Sequence, residues 1–411
     1  VFLLVGRMFT FIAEVFSSNP MDISLSVNLL SGICSAFAAM LVCWITIILG
    51  KLALVGRAAE PNDSELIALL GAGVVAGLST AFCTSIWFSA VEGEVYSMST
   101  FFTTLTLWSV IKWYNLPDEP QNDRWIIFAV YSAGLSIGVH LLSLLTFPAL
   151  ALFYYFKKFE EPTFKGMAIA AGAGVGFIAA IQVLIIIGIP KLWGIFELLM
   201  VNSFGMPVHS GVIPLLLLII GLIALGLRYA HQRGSGLIQQ LVVAASLVVI
   251  AFSTLGVVVI RANADTPINM NSPSDAMRLI PYLNREQYGE RPLLRGPHFD
   301  APVVKVNTED RYGLVADRYE IVDRKASYEY DPADEVFFPR MGHQDESRKA
   351  LYREWMGKKQ GTPTMGDNFM FFFRYQIGWM YWRYFMWNFS GRQNGEQGFC
   401  PWDKSSGHWI S

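Results

Sequence analysis

Seven stretches without a single charged side chain, 23–50, 66–91, 95–111, 125–156, 166–190, 198–227 and 234–260, dominate the first 260 residues. Most exceed the ~20 residues that a helix needs to cross a ~30 Å hydrocarbon layer. Such a chain does not fold as one water-soluble globule. Charge is partitioned to match: residues 1–260 carry 11 basic and 13 acidic side chains, and residues 261–411 carry 20 of each. The expectation is an all-α polytopic membrane helix bundle over 1–260. An extracytoplasmic α+β or irregular region follows over 261–368, then an aromatic interfacial segment and the start of a further part over 369–411.

The 32-residue stretch 125–156 is too long for one upright span, and Ser136-Ile137-Gly138-Val139-His140 sits at its middle. This predicts two short helices joined by a tight turn. Eight spans result, near 24–50, 67–91, 97–115, 124–137, 140–157, 167–190, 211–228 and 237–260. The count places Lys51, Arg57, Lys112, Arg124, Lys157, Lys158, Lys165, Arg228 and Arg233 in loops on one side, against Arg7 and Lys191 on the other. Basic residues resist translocation, so the side with nine is cytoplasmic. Residues 261–411 then begin on the outer face, periplasmic for a bacterial inner membrane. Residues 1–16 read as an interfacial helix or the remnant of a longer element, broken from the first span by Ser17-Ser18-Asn19-Pro20. With Val1 first and no basic leader, the chain is expected to be a fragment that continues at both ends.

A net charge of −2 offers no electrostatic footprint for nucleic acid. Cys34, Cys43, Cys83 and Cys400 fall in no paired or metal-like spacing. Phosphate-loop and HExxH motifs are absent, which argues against a nucleotide-driven pump, and no metal ligand set is assigned.

Polar groups collect on the predicted outer side. Glu92 and Glu94 stand in the apolar, aromatic run Ile86–Tyr96. Each is either a solvated loop residue or a carboxylate that is paired, hydrated in a cavity or protonated, suited to base chemistry or to binding a hydroxyl or metal. His140, at the predicted turn, either caps a helix or donates to a phosphate or aligns a carboxylate. Glu197, Asn202 and His209 belong to 191–210, whose Gly, Pro and aromatic content suits a partly re-entrant or interfacial element. Arg261 pairs with Asp265, snorkels to a headgroup or holds a lipid-linked phosphate. Further on, the pattern predicts a helix from Ser274 to Arg285, β-like runs at Val303–Val306 and Tyr319–Val322, and an exposed helix over 343–359. Residues 369–389 are densely aromatic and read as an interfacial helix, with Arg374 and Arg383 reaching lipid phosphates.

Ala90-Val91-Glu92-Gly93-Glu94-Val95-Tyr96, Gly138-Val139-His140-Leu141-Leu142, Arg261 through Asn271 and Tyr375 through Asn394 resemble the DUF2723 family. These are large multispanning proteins common in Bacteroidota and related to eukaryotic transmembrane protein 260, and the likeness covers nearly the whole chain. The family is similar to GT-C glycosyltransferases, with protein O-mannosyltransferases among its eukaryotic relatives. The resemblance implies a GT-C-like bundle that moves a sugar from a polyprenyl-phosphate donor to an exported protein or glycan on the outer face. Typical members carry an earlier outer loop with an Asp-Cys-Gly-Glu-like motif and the expected principal base, a portion not present here. It then implies Glu92 or Glu94 as an auxiliary acid/base or acceptor-binding group, with His140 beside them. Arg261, Asn202, His209, Glu197, Arg374 and Arg383 become candidate substrate contacts, and a divalent cation bridging carboxylate and phosphate is compatible with the set. The competing class is a transporter or flippase for a lipid-linked substrate, or a scaffold, with the bilayer as partner in every case. Against it, no internal repeat and no clear mid-helix charge is visible.

Overall fold

The computed structural model describes residues 1–57, 59–264, 266–289, 292–358, 360–394, 407 and 409–410. It forms two compact units, Val1–Leu283 and Asn284–Ser411.

The first unit is helical. Its elements are α1 (Phe2–Phe16), α2 (Pro20–Leu54), α3 (Asp63–Phe82), α4 (Thr84–Val91), α5 (Val95–Asn115), α6 (Arg124–Ile137) and α7 (Phe147–Lys158). There follow α8 (Phe164–Ser203), α9 (Val212–Arg233) and α10 (Gly236–Ala262), then α11 (Ala276–Leu283). Among the described residues α2, α3, α8, α9 and α10 are long and apolar enough to cross a bilayer, so this is a multi-pass membrane protein. The break before α2 falls where the sequence places it: Asn19 caps the helix by accepting from the Met21 N–H, and Pro20 takes the first position, where its missing N–H costs nothing.

α5 has the length of a span but an interior composition. Ser97, Ser99, Thr104, Thr106 and Ser109 are buried against neighbouring helices, and Thr104 and Ser109 return their hydroxyls to carbonyls of the preceding turn. α6 and α7 are 14 and 12 residues long and are joined at His140 through the tight helical turn Leu141–Thr146. Two predicted boundaries move. The span at 67–91 breaks at Cys83, whose extended backbone ends α3 after about 30 Å of helix and starts the short α4. The predicted loop 190–210 is helical as far as Ser203. Pro190 lacks an N–H, and the widened turns of Ile181–Ile187 immediately before it absorb the missing bond, so the helix continues.

Ion pairs and carbonyl contacts gather the loops at one end. Arg57 and Lys157 both donate to the Leu116 carbonyl, Lys158 pairs with Asp118 at 2.7 Å, and Gln240 at the start of α10 reaches Asp123. The nine basic residues expected in loops belong to this end, Arg57 in a loop and the other eight near the ends of helices. At the other end Ser31 Oγ donates to the Glu94 carbonyl at 3.5 Å. From Ser31 to Leu54 is about 35 Å of helix, close to the hydrocarbon thickness. Between the ends, Ala133, Ile137, Leu144, Phe147, Ile181, Ile186, Val248 and Phe252 form one core.

The second unit is α+β. Strands β1 (Arg295–Pro297) and β4 (Glu335–Phe337) pair antiparallel, as do the longer β2 (Val303–Val315) and β3 (Arg318–Tyr330). The two predicted β-like runs are therefore the opposite ends of one long ribbon, turned at Ala316 (φ 51°) and Asp317. Helix α12 (Glu346–Met356) buries Leu351, Tyr352 and Met356, so the helix expected to be exposed is amphipathic. α13 (Met365–Phe371) continues through wide turns at Phe372–Trp382 into Arg383–Met386.

The division between the two compact units falls at 283/284. Ala276 and Leu279 of α11 pack with Trp193, Leu215 and Val259, joining 261–283 to the bundle. Phe371 shares a core with Phe299, Met341, Tyr352 and Met356, joining the aromatic segment to the strands.

Candidate functional site

The end of the bundle opposite the basic loops carries seven of the polar residues singled out by the sequence. Glu92 and Glu94 are exposed in the turn between α4 and α5, and their side chains make no hydrogen bond or ion pair among the described residues. The turn itself is pinned by hydroxyls: Ser35 Oγ donates to Ser97 Oγ at 3.0 Å, and Ser97 Oγ donates to the Ser89 carbonyl at 2.6 Å. The carboxylates are thus presented on a fixed backbone, without a counter-charge among the described residues.

His140 caps the Leu141–Thr146 turn, its Nδ1 accepting from the Leu142 N–H at 3.3 Å. With Nδ1 accepting, the neutral imidazole carries its proton on Nε2, which is then the ring's donor. The ring stands 5.7 Å from that of Tyr96. The structure therefore brings His140 against the segment that carries Glu92 and Glu94. Tyr96 was not among the candidate site residues, although it closes the Ala90–Tyr96 run that carries the family resemblance.

Glu197 is 0 % exposed. Its oxygens accept from Trp193 Nε1 at 3.2 Å, the His209 N–H at 2.5 Å and the Gly211 N–H at 3.0 Å. These bonds satisfy the buried carboxyl and clamp the 204–211 loop. The carboxylate is committed to that loop, whereas the sequence offered it as a substrate contact. Gly211 is obligatory, because a Cβ there falls 2.4 Å from the Glu197 nitrogen. His209 adopts φ 72° with its ring 6.2 Å from Trp193, and Asn202 lies exposed in the last wide turn of α8. Arg261 is exposed in the last turn of α10, and its expected partner Asp265 lies outside the described residues. A Cβ on Gly138 falls 2.8 Å from Thr254 Oγ1, about 10 Å along α10 from Arg261. The His140 turn and the Arg261 turn therefore share one end of the bundle.

The remaining two candidates are in the second unit. Arg374 is exposed, but Arg383 is 0 % exposed, with Trp379 4.3 Å and Trp387 5.1 Å from its guanidinium. The sequence expected it to snorkel. Instead the indole faces solvate the cation inside the fold, and burial pushes its pKa down. Among the described residues no group of three His, Cys, Asp or Glu is arranged to hold a metal ion.

Residues 1–163 match the Protein O-mannosyl-transferase TMEM260 N-terminal domain. The chain carries an N-terminal domain homologous to it. Residues 289–373 match a family of unknown function, DUF8416. No curated protein and no solved structure matches the chain. The TMEM260-like domain contains Glu92, Glu94, Tyr96 and His140 and both turns that hold them. Glu197, Asn202, His209 and Arg261 follow it in the same compact unit, and Arg374 and Arg383 fall just beyond the second matched region.

Proposed function

We propose that the chain is part of a membrane glycosyltransferase of the GT-C class, a protein O-mannosyltransferase-like enzyme of the DUF2723 type. It takes a sugar from a polyprenyl-phosphate donor and transfers it to a hydroxyl on an exported protein or glycan. What carries the reading is that the homologous domain contains two unpaired carboxylates on a pinned turn beside a histidine with a free N–H. The full arrangement in this proposal has eight crossings, counting α5, α6 and α7, in a bacterial inner membrane with residues 284–411 in the periplasm.

The chemistry follows from the groups. A carboxylate of Glu92 or Glu94 accepts the proton of the acceptor hydroxyl as its oxygen forms a bond to the anomeric carbon. The bond from that carbon to the phosphate oxygen breaks, and polyprenyl phosphate leaves with the electron pair. His140 Nε2–H and Arg261 stabilise the charge that grows on the phosphate. The Glu197 clamp holds His209 and its loop at the same end.

The test is transfer of radiolabelled sugar from purified polyprenyl-phosphate donors by the full-length protein, with and without EDTA, beside alanine variants at Glu92, Glu94 and His140. Transfer that these variants lose while still folded supports the enzyme. Donor movement across liposomes without transfer overturns it in favour of a flippase.

A further inference from the structure

Two opposed rows run along the helix that starts at Met365. Asp367, Phe371, Trp379, Arg383 and Trp387 are buried, at steps of four or eight residues. Shifted by two, Met365, Phe369, Phe373, Tyr381, Phe385 and Phe389 are exposed, with Ile377 half-buried between them. Phe373 is 61 % exposed, Tyr381 57 % and Phe389 60 %. An α-helix turns every 3.6 residues, so a row at every fourth residue drifts around it. The wide turns of Phe372–Trp382 drift the other way and cancel much of this. The widened segment thus keeps one aromatic row against the core and holds the other outward for its full length. Tyr381 and Phe385 stack at 6.3 Å, and Phe385 meets Phe389 at 5.3 Å, so the outer row is continuous at its end.

Soluble surfaces rarely expose an apolar row of this extent unless it has an occupant. We infer that this row docks the second unit on a lipid bilayer surface, its rings in the headgroup zone and Arg374 at lipid phosphates. Three observations select lipid. The same chain crosses a membrane. Phe, Tyr and Trp dominate the row and its flank, the side chains that favour the boundary between hydrocarbon and water. Residues 369–389 contain no acidic residue, and Arg374 is exposed among them, complementary to an anionic headgroup layer, whereas Arg383 is buried and takes no part.

Full-length protein in nanodiscs of phosphatidylcholine and phosphatidylglycerol tests this. Spin labels are placed through Phe373→Cys, Phe385→Cys and, on the ribbon, Asp323→Cys, with Cys34, Cys43, Cys83 and Cys400 replaced. Oxygen broadening is expected to exceed nickel-chelate broadening several-fold at 373 and 385, with the order reversed at 323. Nickel dominance at 373 and 385, or shielding from both reagents by a protein partner, overturns the inference. The wild-type chain gives a check free of substitutions: diazirine-bearing phosphatidylglycerol is expected to crosslink to 365–389. Crosslinks confined to the first unit count against the docking.

Discussion

The imidazole of His140 and the phenol ring of Tyr96 lie 5.7 Å apart, tilted by 48°. The contact joins the α4–α5 turn to the α6–α7 turn, so two stretches of the TMEM260-like domain that are separate in sequence become one surface.

Glu92→Gln and Glu94→Gln separate the carboxylates. If one is the base, its amide lowers sugar transfer by about 10²–10⁴-fold and the other has a smaller effect. Tyr96→Ala leaves both carboxylates but frees the imidazole, and transfer falls on the order of 100-fold through misplacement. Single-turnover assays on folded variants distinguish the two effects.

Sidedness follows from the two gathered ends. Glu94→Cys reacts with an impermeant maleimide from outside intact spheroplasts, whereas Asp118→Cys reacts only after permeabilisation. The reverse pattern would invert the membrane orientation read from the basic loops.

Glu197→Ala strands the Trp193, His209 and Gly211 N–H donors in a buried site. Each unsatisfied donor costs about 1–3 kcal/mol, so the thermal midpoint in detergent drops sharply. Glu197→Gln keeps an acceptor oxygen and is milder. Gly211→Ala forces the same loop open by steric contact and resembles the first variant.

Asp367 gives the second unit an acid dependence. Burial pushes its carboxyl up, but bonds from Lys358 and from the Thr364 N–H and hydroxyl outweigh this and hold the pKa below the ordinary carboxylate value. A depressed folded pKa means that its stabilisation is complete above the unfolded value of about 3.9. That stabilisation is lost as pH falls through the lower folded value. Asp367→Asn flattens this acid limb and, through the weakened cap at Thr364, costs about 1 kcal/mol at neutral pH. Unfolding midpoints across pH 2–6 (a range of about four units around that reference) read both effects.

Arg383→Ala empties the space beside Trp379 and Trp387 and destabilises the second unit by about 2–5 kcal/mol, as large buried side chains do on truncation. Arg383→Lys does not rescue it, because an ammonium cannot stack flat on an indole. Tryptophan emission during thermal unfolding reports the difference.

Charge-free length alone identified the membrane unit, and the Ser136–His140 turn alone split a 32-residue stretch into α6 and α7. Both are local signals: a helix must satisfy its own backbone in lipid, so span length and breakers are written into contiguous residues. The asymmetry of basic loops was legible for the same reason, and the carbonyls and carboxylates that receive Arg57, Lys157 and Lys158 give it a structural basis. Only the tertiary structure decided that α8 runs through Pro190, that the Glu197 carboxyl binds the N–H groups of a loop and that Arg383 is caged. It also brought Tyr96 to His140. A charged residue's role depends on which dipoles and rings surround it after folding, and those come from segments far away in the chain.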